Sequence, residues 1–166
     1  MIIGLTGLAG SGKTTAANYL VEHYGFTRHR MAGPIKAMLH CLGLNERHTD
    51  GDLKEVPCDL LGGKTPRHAM QTLGTEWGRD LISPDLWLSA WQATLPDGDV
   101  VVDDVRFANE ADAIKELGGV MVRVDRLGII AAVHDHVSEQ IDFAVNAVIS
   151  NNNTFEELYH AILSES

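Results

Sequence analysis

The run Gly7-Leu8-Ala9-Gly10-Ser11-Gly12-Lys13-Thr14, directly behind the apolar stretch Met1–Leu5, constrains this chain more than any other feature. Its spacing, G-x-x-x-x-G-K-[ST], is that of a loop that wraps a phosphate with main-chain N–H groups. Gly7, Gly10 and Gly12 let the backbone bend where a Cβ would clash, so that successive amides face one anion. Lys13 has the reach to meet the β- and γ-phosphates of a triphosphate, and the Thr14 hydroxyl can take a position on Mg²⁺. The motif predicts a buried strand at Ile2–Leu5 and then, after the loop, a helix over Thr14–Tyr24 with Ala17, Leu20, Val21 and Tyr24 on one face. The positive end of that helix adds to the anion site.

A chain of 166 residues is long enough for one domain with a substantial core. No apolar run is long enough to span a bilayer, and glycines and Lys13 interrupt the N-terminal apolar stretch as a secretory signal would not be interrupted. A cytoplasmic location follows as the expectation, with Cys41 and Cys58, which lack metal-ligand spacing, as reduced thiols. The net charge of −10 argues against a general nucleic-acid binder. Lys13, Lys36, Lys54, Arg67, Arg79, Arg106, Arg123 and Arg126 nevertheless fall in or beside motif segments. An acidic shell with gathered cations suits small anionic ligands. Lys54 and Arg79 read equally well as surface charges.

Strands alternate with helices along the rest of the chain. Phe26–Arg30 reads as a short strand and Pro34–Leu42 as a helix with proline in its first turn. Gly43–Thr65 reads as a mobile excursion with a helical turn. From Pro66 a helix resumes, with Met70, Leu73, Trp77 and Leu81 toward the core and Arg67, Gln71 and Thr75 aligned on another face. Asp85–Thr94 predicts a helix with Leu86, Ala90 and Ala93 inward. Val100–Val102 and Val120–Val124 predict strands on either side of a helix at Ala108–Leu117, closed by Gly118-Gly119. Leu127–Gln140 has no clear period, Ala147–Ile149 reads as a short strand, and Thr154 with Glu157 forms a capping box for a last helix docked by Phe155, Leu158 and Ile162. The pattern predicts an α/β fold, three layers with a parallel central sheet covered on both faces. Ligands in such sheets sit at the carboxyl ends of strands, so Gly7–Thr14 and Asp103–Arg106 should share one rim.

In Val100–Phe107, VVVDDVRF, two carboxylates follow a buried strand. A carboxylate there can hold Mg²⁺ opposite the Thr14 hydroxyl, directly or through water; pleating turns adjacent side chains to opposite sides, so one of the two faces the metal, with Asp103 as the candidate and the choice between Asp103 and Asp104 open. Arg106 can neutralise charge on a transferring phosphoryl group or form a structural ion pair with Asp103 or Asp104.

The segments GLAGSGKT, MAGPIKAML, TPRHAMQTLGTEWGRDL with Trp87 downstream, DDVRFANEADAI, DHVSE and ISNNNTFEEL together resemble the bacteriophage deoxynucleoside monophosphate kinases, over most of the chain and in order. The resemblance implies a nucleoside monophosphate kinase-like P-loop fold as a single domain over residues 1–166, with an acceptor-binding helical region at 43–94 and a lid at 126–140. It implies transfer of the γ-phosphate of ATP to a deoxynucleoside monophosphate with Mg²⁺, in the host cytoplasm if the chain is phage-encoded. Gly10, Gly12, Lys13, Thr14 and Thr15 would hold the ATP phosphates. Ile35, Lys36, Arg67, Gly74, Thr75, Trp87, Asp104, Val105, Arg106 and Glu110 would contact the monophosphate, with Gln71 on the same acceptor face. Lys13, Arg106 and a lid arginine, Arg126, would neutralise the transferring group, and Asp104 would orient the acceptor. Asn151-Asn152 either reach the adenine of ATP or form a polar turn. His134 and His136 lack a third metal ligand, and His136 suits a lid or hinge. The stretch between Gly43 and Thr65 is much shorter than in the T-even phage enzyme, where it carries a nucleotide-contacting arginine; Arg47 or Lys54 could replace it, which leaves base selectivity open. The oligomeric state, a homodimer included, is also open.

Two other readings belong to the same loop. One is another small-molecule kinase of this fold, acting on dephospho-coenzyme A or resembling adenylate kinase. The other is a nucleotide-dependent switch, for which Gln71 is the only candidate water-positioning residue.

Overall fold

The computed structural model describes residues 1–126 and 143–151. In chain order its elements are β1 (Ile2–Thr6), α1 (Lys13–Tyr24), β2 (Thr27–Arg28), α2 (Gly33–Cys41), α3 (Glu46–Thr49), α4 (Pro66–Thr72), α5 (Leu86–Ala93), β3 (Val100–Val102), α6 (Ala108–Glu116), β4 (Val120–Asp125) and β5 (Ala147–Ser150). A wide π-helical stretch, Leu73–Ile82, continues α4. The final helix, the His134–His136 pair and the lid beyond Arg126 lie outside the described residues. The chain forms two compact units, one of Met1–Arg30 with the chain from Leu95, the other of Met31–Thr94.

The first unit is built on a five-stranded parallel sheet in the order β2-β3-β1-β4-β5. Its central strands are short β-branched runs buried along their whole length, as a sheet covered on both faces requires. Pleating sorts their side chains. Ile3, Leu5, Val101, Val122 and Val124 form one core with Ala16, Ala17 and Leu20 of α1. On the other face, a Cβ at Gly4 would meet Met121 and, at 2.8 Å, Cδ1 of Ile114 in α6. The two helices therefore cover opposite faces, and the missing side chain at Gly4 lets α6 approach β1.

The helix after the loop differs from expectation at its end. Val21 is 38% and Tyr24 36% exposed, although both lie on the predicted inward stripe. Gly25, left-handed at φ 73°, stops α1, and Phe26 directly after it is buried in the core while Tyr24 is not.

The second unit is helical, and the stretch between Gly43 and Thr65 is more ordered than its composition predicts. Asn45 caps α3, and a single tight turn occupies Asp59–Leu61. Thr65 starts α4 by accepting the His68 N–H at 3.1 Å. Past Leu73 the winding widens, which breaks the 3.6-residue register that the sequence stripe assumed. Trp77 and Leu81 end up 41% and 75% exposed, while Gly74 and Gly78 are buried. The indole of Trp87 lies over these glycines and donates from Nε1 to the Gly74 carbonyl at 2.7 Å. In α5 the inward residues are accordingly Trp87 and Trp91 rather than Leu86, Ala90 and Ala93; Ala93 is exposed. Among the described residues no helix is long and apolar enough to cross a membrane.

The contact between Gly78 and Trp87 leaves no room for a methyl group, because an ideal Cβ would meet Cε2 and Cζ2 of the indole at 2.6 Å. Gly78→Ala is expected to lower stability by about 1–3 kcal/mol through overpacking. Gly33→Ala, with nothing within 4 Å of its Cβ, should be neutral or slightly stabilising. Urea unfolding followed by tryptophan fluorescence checks both; equal midpoints for the two variants would contradict this packing.

Candidate active site

The turn between β1 and α1 has the backbone shape that its glycines predict. Gly7, Gly10 and Gly12 have φ of 137°, 77° and 106°. Gly7 is further required by space, since a Cβ there would strike the Val124 carbonyl of β4. Lys13 folds back over the loop and donates from Nζ to the carbonyls of Gly7 at 2.7 Å and Leu8 at 2.8 Å. Its ammonium is thus held at the loop at the positive end of α1, where a phosphate would lie. Gly10, Thr14 and Thr15 are exposed.

The end of β3 meets this loop. The Thr14 hydroxyl donates to Oδ2 of Asp103 at 3.3 Å. Of the two adjacent carboxylates it is Asp103 that faces the loop, as one-sided pleating requires. Arg28 grips the same carboxylate through Nε at 3.0 Å and through Nη2, and Arg30 adds Nε at 3.0 Å. Arg28 is steadied in turn by Asn18 Oδ1 at 3.0 Å. Burial would raise the Asp103 pKa, but the Arg28 hydrogen bonds and the charges of Arg30 and Arg28 prevail and hold it below the usual carboxylate value. The sequence reading missed both arginines. The available signal was Arg-His-Arg at a short strand end, where alternate side chains share a face.

Hydroxyl and carboxylate oxygens suit Mg²⁺, so the donor chemistry of Thr14 and Asp103 fits that ion. The geometry divides the work. Arg28, Arg30 and Thr14 already fill the roughly four lone-pair directions of the Asp103 carboxylate. Thr14 is then the direct ligand candidate, and Asp103 stands behind it.

Beyond Asp103, Val105 is buried, Asp104 is half-buried and Arg106 is exposed. Glu110 is only 4% exposed. Its carboxylate accepts the main-chain N–H of Arg106 at 2.9 Å and of Phe107 at 3.2 Å. It thereby caps α6 and fixes the backbone that carries Arg106. Arg123 bonds its strand neighbour Asp125 at 3.1 Å, and Arg126 is exposed. At the end of β5, Asn151 donates from Nδ2 to the Ser11 carbonyl at 2.8 Å.

The second unit gathers another set of predicted residues. Ile35 packs on Gly74, with Cδ1 at 3.2 Å from where a Cβ would stand, and Trp87 bonds the Gly74 carbonyl. Lys36 pairs with Asp50 at 2.6 Å, and Arg67 pairs with Glu55. The Asp50 carboxylate also accepts from the hydroxyl of fully buried Thr49 at 3.2 Å. Arg47 bonds Asp52, while Gln71 and Thr75 are exposed. Trp87, 5% exposed with its N–H already used, has the environment of a core tryptophan.

Comparisons with known proteins bear on the family and the fold. The chain is 39% identical over 184 aligned positions to a putative deoxynucleotide monophosphate kinase of Acanthamoeba polyphaga mimivirus, covering 99% of this chain and 95% of that protein. A deoxynucleoside-5'-monophosphate kinase of Escherichia phage T5 matches at 36% identity over 55 residues, 31% of this chain and 22% of the phage protein. Among solved structures, shikimate kinase from Aquifex aeolicus superposes with a TM-score of 0.55 at 12% identity, covering 99% of this chain and 95% of that one. TT1252 from Thermus thermophilus superposes with a TM-score of 0.50 at 17% identity, covering 99% and 97%. These two are similar in fold. The family model for deoxynucleotide monophosphate kinase matches residues 62–162. With its phosphate-binding loop on a parallel β2-β3-β1-β4-β5 sheet, the chain belongs to the deoxynucleotide monophosphate kinase family.

Proposed function

We propose that this protein transfers the γ-phosphoryl group of ATP to a deoxynucleoside monophosphate, releasing ADP and the diphosphate. The observation that carries the reading is the Gly7–Thr14 loop, with Lys13 poised over it and Thr14 tied to Asp103, in a chain matched along its length by a relative named for that activity. Gly10, Gly12, Lys13, Thr14 and Thr15 hold the donor phosphates. Lys13, Arg106 and Arg126 neutralise charge on the transferring group, and Asp104 orients the acceptor. Phosphoryl transfer asks for this alignment and charge stabilisation more than for covalent chemistry. No strong base is needed, because a phosphate monoester is largely dianionic at neutral pH, with a second pKa of about 6. Mg²⁺, held by Thr14 with Asp103 behind it, supplies further charge neutralisation to the donor phosphates when bound.

Ile35, Lys36, Arg67, Gln71, Gly74, Thr75, Trp87, Val105 and Glu110 complete the acceptor side, some by contact and others, such as Glu110, by shaping backbone. Lys36 and Arg67 already hold carboxylates. A monophosphate offers them the same charge and, for Arg67, a planar fork to match. Arg67 and Glu55 are 47% and 59% exposed, so their pairing contributes little, at most about 1 kcal/mol, and exchange for a phosphate is easy. The setting we propose is the cytoplasm, with small nucleotides as the partners.

The direct test is ADP release with each deoxynucleoside monophosphate and its ribose counterpart, beside dephospho-coenzyme A and shikimate. Turnover with the last two alone would overturn the reading. Lys13→Ala and Arg106→Ala should each lose about 3–5 kcal/mol of transition-state stabilisation, a hundred- to several-thousand-fold in kcat/KM. Near-normal turnover of either variant would remove that residue from the mechanism.

Asp103 also links function to acid stability. Its folded pKa lies below the unfolded value of about 3.9, so its contribution is fully present above that value and fades as pH falls through the folded pKa. Asp103→Asn should lower stability at pH 7 by about 2–4 kcal/mol, since two arginines lose their counterion. The gap from the unsubstituted protein should shrink below about pH 4. Urea titrations at pH 7 and pH 3 check this; a gap that widens in acid would contradict the sign.

A further inference from the structure

We infer that Asn151 is a positioning residue for the phosphate loop rather than a reader of the donor base, an inference that rests on the proposed kinase function. Three observations carry it. The Asn151 side chain donates from Nδ2 to the Ser11 carbonyl at 2.8 Å. Its own main-chain N–H donates to the Asp125 carbonyl at 2.6 Å, which fastens the residue to β4 just past β5. Gly12 leaves the space that the amide occupies: an ideal Cβ there would collide with Nδ2 and stand 3.1 Å from Cγ. The glycine is thus required twice, by its φ of 106° and by Asn151.

The consequence follows from peptide planarity. In a trans peptide the carbonyl of one residue and the N–H of the next point to opposite sides. The Ser11–Gly12 bond is trans, as no cis peptide occurs among the described residues. By holding the Ser11 carbonyl on the β5 side, Asn151 turns the Gly12 N–H the other way and fixes it as a donor to phosphate. A donor fixed before the ligand arrives need not be ordered on binding. Phosphate affinity then depends on a residue far from the loop in sequence that touches no phosphate itself.

The test measures binding by calorimetry, in the presence of Mg²⁺, for the unsubstituted protein, Asn151→Ala and Asn151→Leu. The ligands are ATP, GTP and inorganic tripolyphosphate, which has no base. A positioning role predicts that both variants weaken all three ligands alike, by roughly tenfold, the loss of about one hydrogen bond. The KM for ATP should rise while the KM for the deoxynucleoside monophosphate holds. Weakening confined to ATP would make Asn151 a base reader and overturn the inference, as would unchanged affinity for tripolyphosphate. Should Asn151→Ala fail to fold, the neutral and near-isosteric Asn151→Leu, which lacks the Nδ2 donor and adds no charge beside the loop, carries the same comparison. Absence of tripolyphosphate and ATP binding by the unsubstituted protein would overturn the kinase reading itself and this inference with it; a failure of this inference alone leaves that binding intact.

Discussion

The carboxylate of Asp103 joins three segments that are far apart in the chain. It accepts from Thr14 behind the loop and from Arg28 and Arg30 at the end of β2, while itself ending β3. A buried anion with one partner would be a liability, because desolvation favours its protonated form. Two guanidiniums reverse that balance and keep it ionised. The carboxylate can then hold the Thr14 hydroxyl at the start of α1, next to where Lys13 is clasped by the loop. Arg28 closes β2 and Arg30 follows two residues on, where the His29 N–H still bonds the Val101 carbonyl of β3, so the two alternate side chains share a side.

A second constraint is close approach of backbone to other groups, met each time by glycine. Gly4 admits Met121 and Ile114 against β1, Gly7 admits the Val124 carbonyl, and Gly12 admits Asn151. In the helical unit Gly78 admits the Trp87 ring. The first three set β4, α6 and the end of β5 around one strand and its loop. The phosphate cradle is therefore shaped from behind by the sheet as much as by its own turns.

The helical unit shows a different logic. Lys36, Arg47 and Arg67 each meet a carboxylate from the 50–55 segment. The Arg47 and Arg67 pairs are solvent-exposed and contribute little to stability, whereas the Lys36 side chain, 15% exposed, is largely buried beside Asp50. The three pairs keep cations extended and partnered by groups that resemble a phosphate in charge. Trp87 and Trp91 supply the burial instead, which allows the π-helical stretch to leave Trp77, Leu81 and Ile82 toward solvent.

How much was legible beforehand follows from which interactions are local. The five strands, the helices at 13–24, 33–41 and 108–116 and the loop between β1 and α1 are each encoded within a few residues, by β-branched runs, helical spacing and glycine. The parallel α/β architecture could be read from their alternation, and Thr14 and the Asp103-Asp104 pair as sharing one rim from the carboxyl-end rule. The stripe from Met70 to Leu81 misled, because a π-turn changes the angle per residue and no pattern of apolar residues announces it. Arg28, Arg30, Glu110 and Asn151 escaped as structural groups for another reason: what they bond is set by the sheet order and by backbone that only folding brings near. The sequence by itself determined the elements and the anion-binding chemistry of the loop, since both depend on neighbours along the chain. Only the tertiary structure decided which carboxylate meets Thr14, which cations keep it charged and which amide holds the Ser11 carbonyl, because hydrogen bonds depend on distance and direction in space, which separation along the chain does not specify.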